Sequence, residues 1–323
     1  MRERDRTAAL PPWRRRPAAP ALFAAAILLA AGPVLVGCSA TGTPQPSIAA
    51  GSTTGPSGGT TQASAPLETS QTSAKAPVYW LGRARDGVYL YREFRDADTK
   101  DNPIATALRI MMSQKPLDPH YFTPWQSPKK LAASVSGRNY ITVDVSSDAF
   151  NTRVDEPTAQ LAVQQLVYTA TAAAASSGLV DSGQPISVML LVDGKTSQLA
   201  FDRVQLGQLM LRDPSMVAPV WIIDPQEGAE LAGGTLKVFG RATGPDKAFA
   251  WQILRHDAQG AKSLYISGTV TSGNQAGHIG EFTFTVNLPP GDYEVRILPA
   301  DDAAAAVTSG TSAWDSKAFT VKG

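Results

Sequence analysis

Cysteine occurs once in 323 residues, at position 38, and histidine only three times. A lone thiol excludes an intramolecular disulfide, so any folded part must be held by its apolar core. His120, His256 and His278 lack metal-ligand spacing to one another, so no metal is expected. There is no G-x-S-x-G elbow. Gly194-Lys195-Thr196 has Met189 where a phosphate loop needs its first glycine. Nucleophilic catalysis and nucleotide binding therefore have no basis in sequence, and no cofactor is expected. Asp301/Asp302 and Asp144/Asp148 are the best carboxylate pairs, and both read as solvated loop acids. An excess of charge is missing too, since the formal net charge is +1. Arg2, Arg4, Arg6, Arg14, Arg15 and Arg16 outnumber Glu3 and Asp5 at the start, which leaves the remainder slightly acidic. Nothing in that balance attracts nucleic acid.

What is present begins with Arg14-Arg15-Arg16, followed by an uncharged apolar run from Pro17 to Val36. Leu35-Val36-Gly37-Cys38 closes it. A basic cluster, an apolar segment and small residues in this order make a secretory signal, and its end resembles the bacterial lipobox. That resemblance implies cleavage between Gly37 and Cys38, and fatty acid (palmitate and its relatives) on the Cys38 thiol. The two chains of a diacylglycerol suffice for stable retention at a membrane where one does not. The competing reading is an uncleaved span of about 20 residues, against which Pro20 and Gly32-Pro33 argue. The expected site is the outer face of the cell membrane. Residues 38–77 are mostly Ser, Thr, Gly, Pro, Ala and Gln. They are expected to be a disordered tether spanning roughly 35 Å as a flexible coil.

The length accommodates two further domains, placed at 78–205 and 219–323 with a linker at 206–218. In the first, Val78–Leu81 and Gly87–Phe94 read as strands. Asn102-Pro103 caps a helix with Ile104, Ala107, Leu108 and Met111 on one face. Tyr140–Ser146 alternates as a strand, and Glu156-Pro157 opens a long helix running to about Ser177. Ile186–Val192 is apolar enough for a central strand. Asn102–Met112, Ile141–Ser146 with Phe150, Gln164–Thr169 and Val188–Gly194 resemble the GerMN domain of spore-germination proteins and actinobacterial surface lipoproteins. The resemblance implies an α+β fold and a binding or assembly role rather than an enzyme. Ser113–Leu131, with four prolines, departs from the family's loop.

The second domain reads as short alternating strands. Leu236/Val238, Phe249/Trp251/Ile253, Phe282/Phe284/Val286/Leu288, Tyr293/Val295/Ile297 and Phe319/Val321 each share a face. Pro289-Pro290-Gly291-Asp292 supplies a turn. Asp301–Thr308 is too short and uncapped to count as a helix. Ile223-Asp224-Pro225, Val238–Ala242, Ala250–Ile253 and Gly280–Val286 resemble the immunoglobulin-like domain that often follows GerMN domains, which implies an all-β sandwich. Trp251 then belongs to the core in preference to a sugar-binding surface.

Tyr89, Tyr91, Tyr121, Phe122 and Trp125 are aromatics outside the main apolar faces. Either a second layer covers them or they form a partner surface. The functional expectation is a lipid-anchored, non-catalytic adaptor whose partner is an envelope protein or a cell-wall component. An accessory to a membrane sensor kinase is the alternative, and a wall-acting enzyme a more distant one.

Overall fold

The structure is a computed structural model. It describes residues 75–323 except 85, 99–100, 138, 276–279 and 301–312. Gly37, Cys38, the apolar run, most of the tether, His278 and Asp301–Thr308 fall outside the described residues. Among those described, no helix is long and apolar enough to cross a membrane. The fold is mostly β.

The N-terminal part holds strands β1 (Lys75–Ala84), β2 (Gly87–Asp96) and β3 (Tyr121–Phe122), in the order β2-β1-β3. A second sheet runs β4 (Leu131–Ser136), β5 (Tyr140–Val145), β6 (Ser187–Val192), with β5 and β6 parallel. Helix α1 spans Pro103–Ser113, and α2 spans Glu156–Ser176. The Asn102 carboxamide caps α1 by accepting from the N–H groups of Ile104 and Ala105 at 3.0 and 3.1 Å. Asp155 does the same for α2 through Thr158 N–H at 3.0 Å.

The core joins Val78 and Trp80 of β1, Leu108 and Met111 of α1, Val143 of β5, and Leu166 of α2. Each such fully buried side chain contributes about 1.5–3 kcal/mol through removal from water. Helix α2 also completes the backbone pairing of β1. Tyr79 N–H donates to Thr169 Oγ1 (3.1 Å) and Gln165 Nε2 donates to the Tyr79 carbonyl (2.8 Å). Thr169 and Gln165 are fully buried, so their polar atoms go to backbone groups that β3 is too short to reach.

Strand β6 is not central. It is an edge strand, and the segment after it closes that edge: Val188 and Met210 exchange two backbone hydrogen bonds of 2.9 Å. An apolar run shows that a strand is covered, whether by a helix or by neighbouring strands, and so does not locate it within a sheet. Residues 206–218, the expected linker, pack closely on the N-terminal part. Gln164 Nε2 donates to the Leu211 carbonyl (3.1 Å), Arg212 Nε to Thr171 Oγ1 (2.7 Å), and Ala218 N–H to the Leu90 carbonyl (3.1 Å). The short pair β7 (Leu199–Ala200) and β8 (Val204–Gln205) precedes this stretch.

The C-terminal part adds eight strands among the described residues: β9 (Val220–Asp224), β10 (Ala229–Ala232), β11 (Thr235–Ala242), β12 (Ala248–His256), β13 (Lys262–Thr271), β14 (Glu281–Asn287), β15 (Gly291–Pro299) and β16 (Asp315–Lys322). Five form one sheet, β10-β16-β15-β12-β13, and three another, β14-β11-β9. One core lies between them, with Val238, Trp251, Tyr293, Val295 and Phe319 among its members. Trp251 is inside, stacked on Phe284 with ring centroids 4.4 Å apart. His256 ends β12.

Strand β9 belongs to both cores. Val220 and Ile222 point into the C-terminal core, while Trp221 and Ile223 pack on the N-terminal one. The two-residue period of a strand gives opposite faces to successive side chains, so one apolar strand forms a wall common to both.

Candidate functional site at the junction of two cores

The loop after α1 carries Asp118 into the junction, where it is 1% exposed. Glu93 fixes it there. The N–H groups of Leu117 and Asp118 donate to the Glu93 carboxylate at 2.9 and 2.8 Å. From the opposite side, β16 projects Asp315, Lys317, Phe319 and Val321 inward at every second position.

Lys317 Nζ donates to Asp118 Oδ2 (2.6 Å), to the Tyr121 hydroxyl (2.6 Å) and to Asp315 Oδ1 (3.0 Å). Tyr121 O–H donates to Asp315 Oδ1 at 2.8 Å, and Ile222 N–H of β9 to Asp315 Oδ2 at 2.7 Å. Tyr91 stacks on Tyr121 at 4.7 Å and donates its hydroxyl to the Trp314 carbonyl at 2.9 Å. Gly82 makes this possible, because a side chain there would collide with both rings.

Electrostatics follow from burial. Desolvation raises the Asp315 pKa, opposed by Lys317. For Lys317, burial alone would lower the pKa, but Asp315 and Asp118 outweigh it and raise the value. Burial, helped by the same two carboxylates, drives the Tyr121 phenol well up, and burial does the same to Tyr91. Glu93 is raised by burial, against the pull of the two backbone donors.

Beside this knot opens a cavity of about 250 Å³, with Arg83, His120, Lys262, Glu294 and Arg296 on its lining. Glu294 is buried yet held low, since Arg296 and Lys262 both pair with it, and His256 Nε2 lies 3.7 Å away. His120 Nδ1 is 3.0 Å from Asp118 Oδ1. The chemistry available is restricted. Lys317 is protonated with all three N–H bonds engaged, so it has no lone pair to offer as a nucleophile. Tyr121 and Tyr91 are held as phenols and cannot serve as bases near neutral pH. Among the described residues, no three His, Cys, Asp or Glu side chains are grouped to hold a metal.

Of the two readings that sequence leaves open for the aromatics, burial favours the covering layer for most of them. Tyr91 and Tyr121 are buried beneath β16, 1% and 8% exposed. Trp125 is 2% exposed, packed 4.9 Å from Phe150 and 5.1 Å from Phe201, and its indole N–H donates to the Ala162 carbonyl at 3.0 Å. Phe122, beneath the Arg83 guanidinium, and Tyr89 are half-buried. Covering layers, rather than a partner, account for most of the set. The residues that organise the junction are Asp118, Asp315, Lys317 and Glu93. Their one sequence signal is the alternation Asp315, Lys317, Phe319, Val321, which puts two charges in register with core positions.

Residues 77–198 match the family model described as Germane: Sporulation and spore germination. The match supports a GerMN-type domain over this stretch. The solved structures similar to the chain include two from one protein. The first GerMN domain of the sporulation protein GerM from Bacillus subtilis is 14% identical with a TM-score of 0.32, over 42% of this chain and 93% of that one. The tandem GerMN domains of the same protein are 12% identical with a TM-score of 0.35, over 61% of this chain and 60% of theirs. No curated protein matches the chain. The matched residues contribute Asp118, Glu93, Tyr91 and Tyr121 to the junction, while Asp315 and Lys317 lie beyond them.

Proposed function

We propose that the chain is a lipid-anchored, non-catalytic binding module on the extracytoplasmic face of the cell membrane. In this reading a GerMN-type α+β domain is locked to an immunoglobulin-like sandwich, with sporulation or germination as the biological setting and an envelope protein or wall component as partner. The carrying observation is the junction itself. Its buried ionisable groups pair across two structural parts, which suits a rigid scaffold, and none of those groups is an activated nucleophile. The match of residues 77–198 to a sporulation and spore germination family supports the setting. The lipobox-like Leu35-Val36-Gly37-Cys38 supports the anchor.

The test is metabolic labelling with an alkynyl fatty acid in cells carrying the wild type or Cys38→Ala. Labelling and membrane retention should both disappear in the variant. Retained label on Cys38→Ala would overturn the anchor. Turnover of purified wall material that is lost with Asp118→Asn would overturn the non-catalytic reading.

A further inference from the structure

At the carboxyl ends of the parallel strands β5 and β6 lies a second cavity, of about 570 Å³. That is within the range of ~300–1,000 Å³ usual for small-molecule sites. It is built from three segments: the turn Ser147–Phe150 with the residues up to Val154, the end of β6, and the β7–β8 hairpin. Phe150, Asn151, Thr152, Arg153, Gln198 and Arg203 line it.

The hairpin is held in an unusual way. Phe201 and Asp202 both have left-handed backbone, with φ of 53° and 56°, and Arg203 N–H donates to the Ala200 carbonyl at 3.0 Å. Successive left-handed residues of this kind favour Asn and Gly, because a bulky residue at positive φ is strained. Phe201 is kept there by packing on Trp125 at 5.1 Å and Phe150 at 5.3 Å. A strained turn clamped by three aromatic rings holds Asp202 and Arg203 in fixed positions on the cavity wall, the kind of backbone outlier that collects at ligand sites.

The lining chemistry selects a ligand class. Two carboxamides and a hydroxyl, from Asn151, Gln198 and Thr152, match the mixed donors and acceptors of sugar hydroxyls and acetamido groups. Phe150 offers an aromatic surface suited to the apolar face of a pyranose ring. Arg153 and Arg203 are exposed guanidinium groups with the forked geometry that favours a carboxylate. Against them stand Asp202 on the wall and Asp155, whose pKa is lowered mainly by Thr158 and in small part by Arg203. Asp193 is occupied by Ser147 N–H at 3.2 Å. We propose that this cavity binds a carboxylated saccharide. The cavity chemistry stands alone, and only the choice of probe sugar rests on the envelope reading.

The test titrates the full chain by calorimetry with N-acetylmuramic acid and with N-acetylglucosamine, two sugars that differ by one lactyl carboxylate. The acidic sugar is expected to bind about tenfold more tightly, as one charge-assisted hydrogen bond predicts. Arg153→Gln and Arg203→Gln should each abolish most of that difference. Asp202→Asn, which suits a left-handed position better than Asp, should tighten the acidic sugar about two- to threefold by removing the wall's acid. Equal affinity for the two sugars, indifference to both arginine variants, or binding of a short acidic peptide in place of either sugar would overturn the proposal. Absence of sugar binding while lipid labelling of Cys38 persists sinks this inference alone. Sugar binding without lipid labelling sinks the anchor and leaves the cavity assignment intact.

Discussion

Lys317 Nζ stands 2.6 Å from Asp118 Oδ2 across 199 residues of chain, and both side chains are 2% exposed. Removing one partner of a buried pair leaves an unpaired charge in a poorly solvated place, at a cost of about 3–5 kcal/mol. Lys317→Met should therefore lower the unfolding free energy by that amount in a denaturant melt, and Asp118→Asn by less, because Asp315 still partners the lysine. In the combined variant Lys317→Met, Asp118→Asn, Asp315→Asn, much of the loss should return. Additive losses across the cycle would show that the groups act independently.

Alkaline stability is set by the same knot. Lys317 has a folded pKa above its ordinary 10.5, and Tyr121 one well above 10.0. Each group therefore holds its proton more firmly in the folded state. Their contribution is full below about pH 10 and declines as pH rises toward the folded values, because the unfolded chain binds fewer protons there. The thermal midpoint should therefore fall as pH rises above about 10, with phenolate absorbance from Tyr121 and Tyr91 arising only on unfolding. Phenolate signal from all tyrosines before unfolding would contradict the assignment.

Asn102 ties two elements together. Besides capping α1, its Nδ2 donates to the Ala133 carbonyl of β4 at 2.9 Å. Asn102→Ala should cost about 1–2 kcal/mol, the upper half of the usual range for a lost cap. Asn102→Asp retains the cap and loses the bond to β4, so urea unfolding should place it between wild type and Asn102→Ala.

Trp125 reports on folding rather than on a partner. Trp125→Ala removes a ring packed on Phe150 and Phe201, and should cost about 3–5 kcal/mol. Near-ultraviolet circular dichroism and urea melts would show it. A wild-type melt accompanied by loss of binding would restore the partner-surface reading.

Local chemistry was legible in the sequence. Asn102-Pro103 and Glu156-Pro157 announce helix starts because caps act within one turn. The alternating runs from Leu236 to Val321 land in one core for the same local reason, a two-residue period. Position within a sheet was not legible, as β6 shows. Nor were β4 and β13. Leu131-Ala-Ala-Ser-Val-Ser has little apolar mass, and the apolar residues Leu264, Tyr265 and Ile266 of β13 are exposed on an edge strand. The junction was hidden most deeply. Asp118 lies in a proline-rich loop, and its partner is supplied by the last described strand, so no spacing rule connects them. The aromatic loop was visible as a feature, but only the structure shows that β16 covers Tyr121 and the Phe150–Phe201 pair covers Trp125.

The position of Lys317 so late in the chain also sets an order of events. Until β16 has docked, Asp118 and Glu93 lack the lysine that faces them, and charges of that kind are costly to bury unpaired. The N-terminal core needs no residue of β16 for its apolar contacts around β1, α1 and α2. Closure of the junction therefore waits on β16, and the two cores act as one body only once that strand is in place.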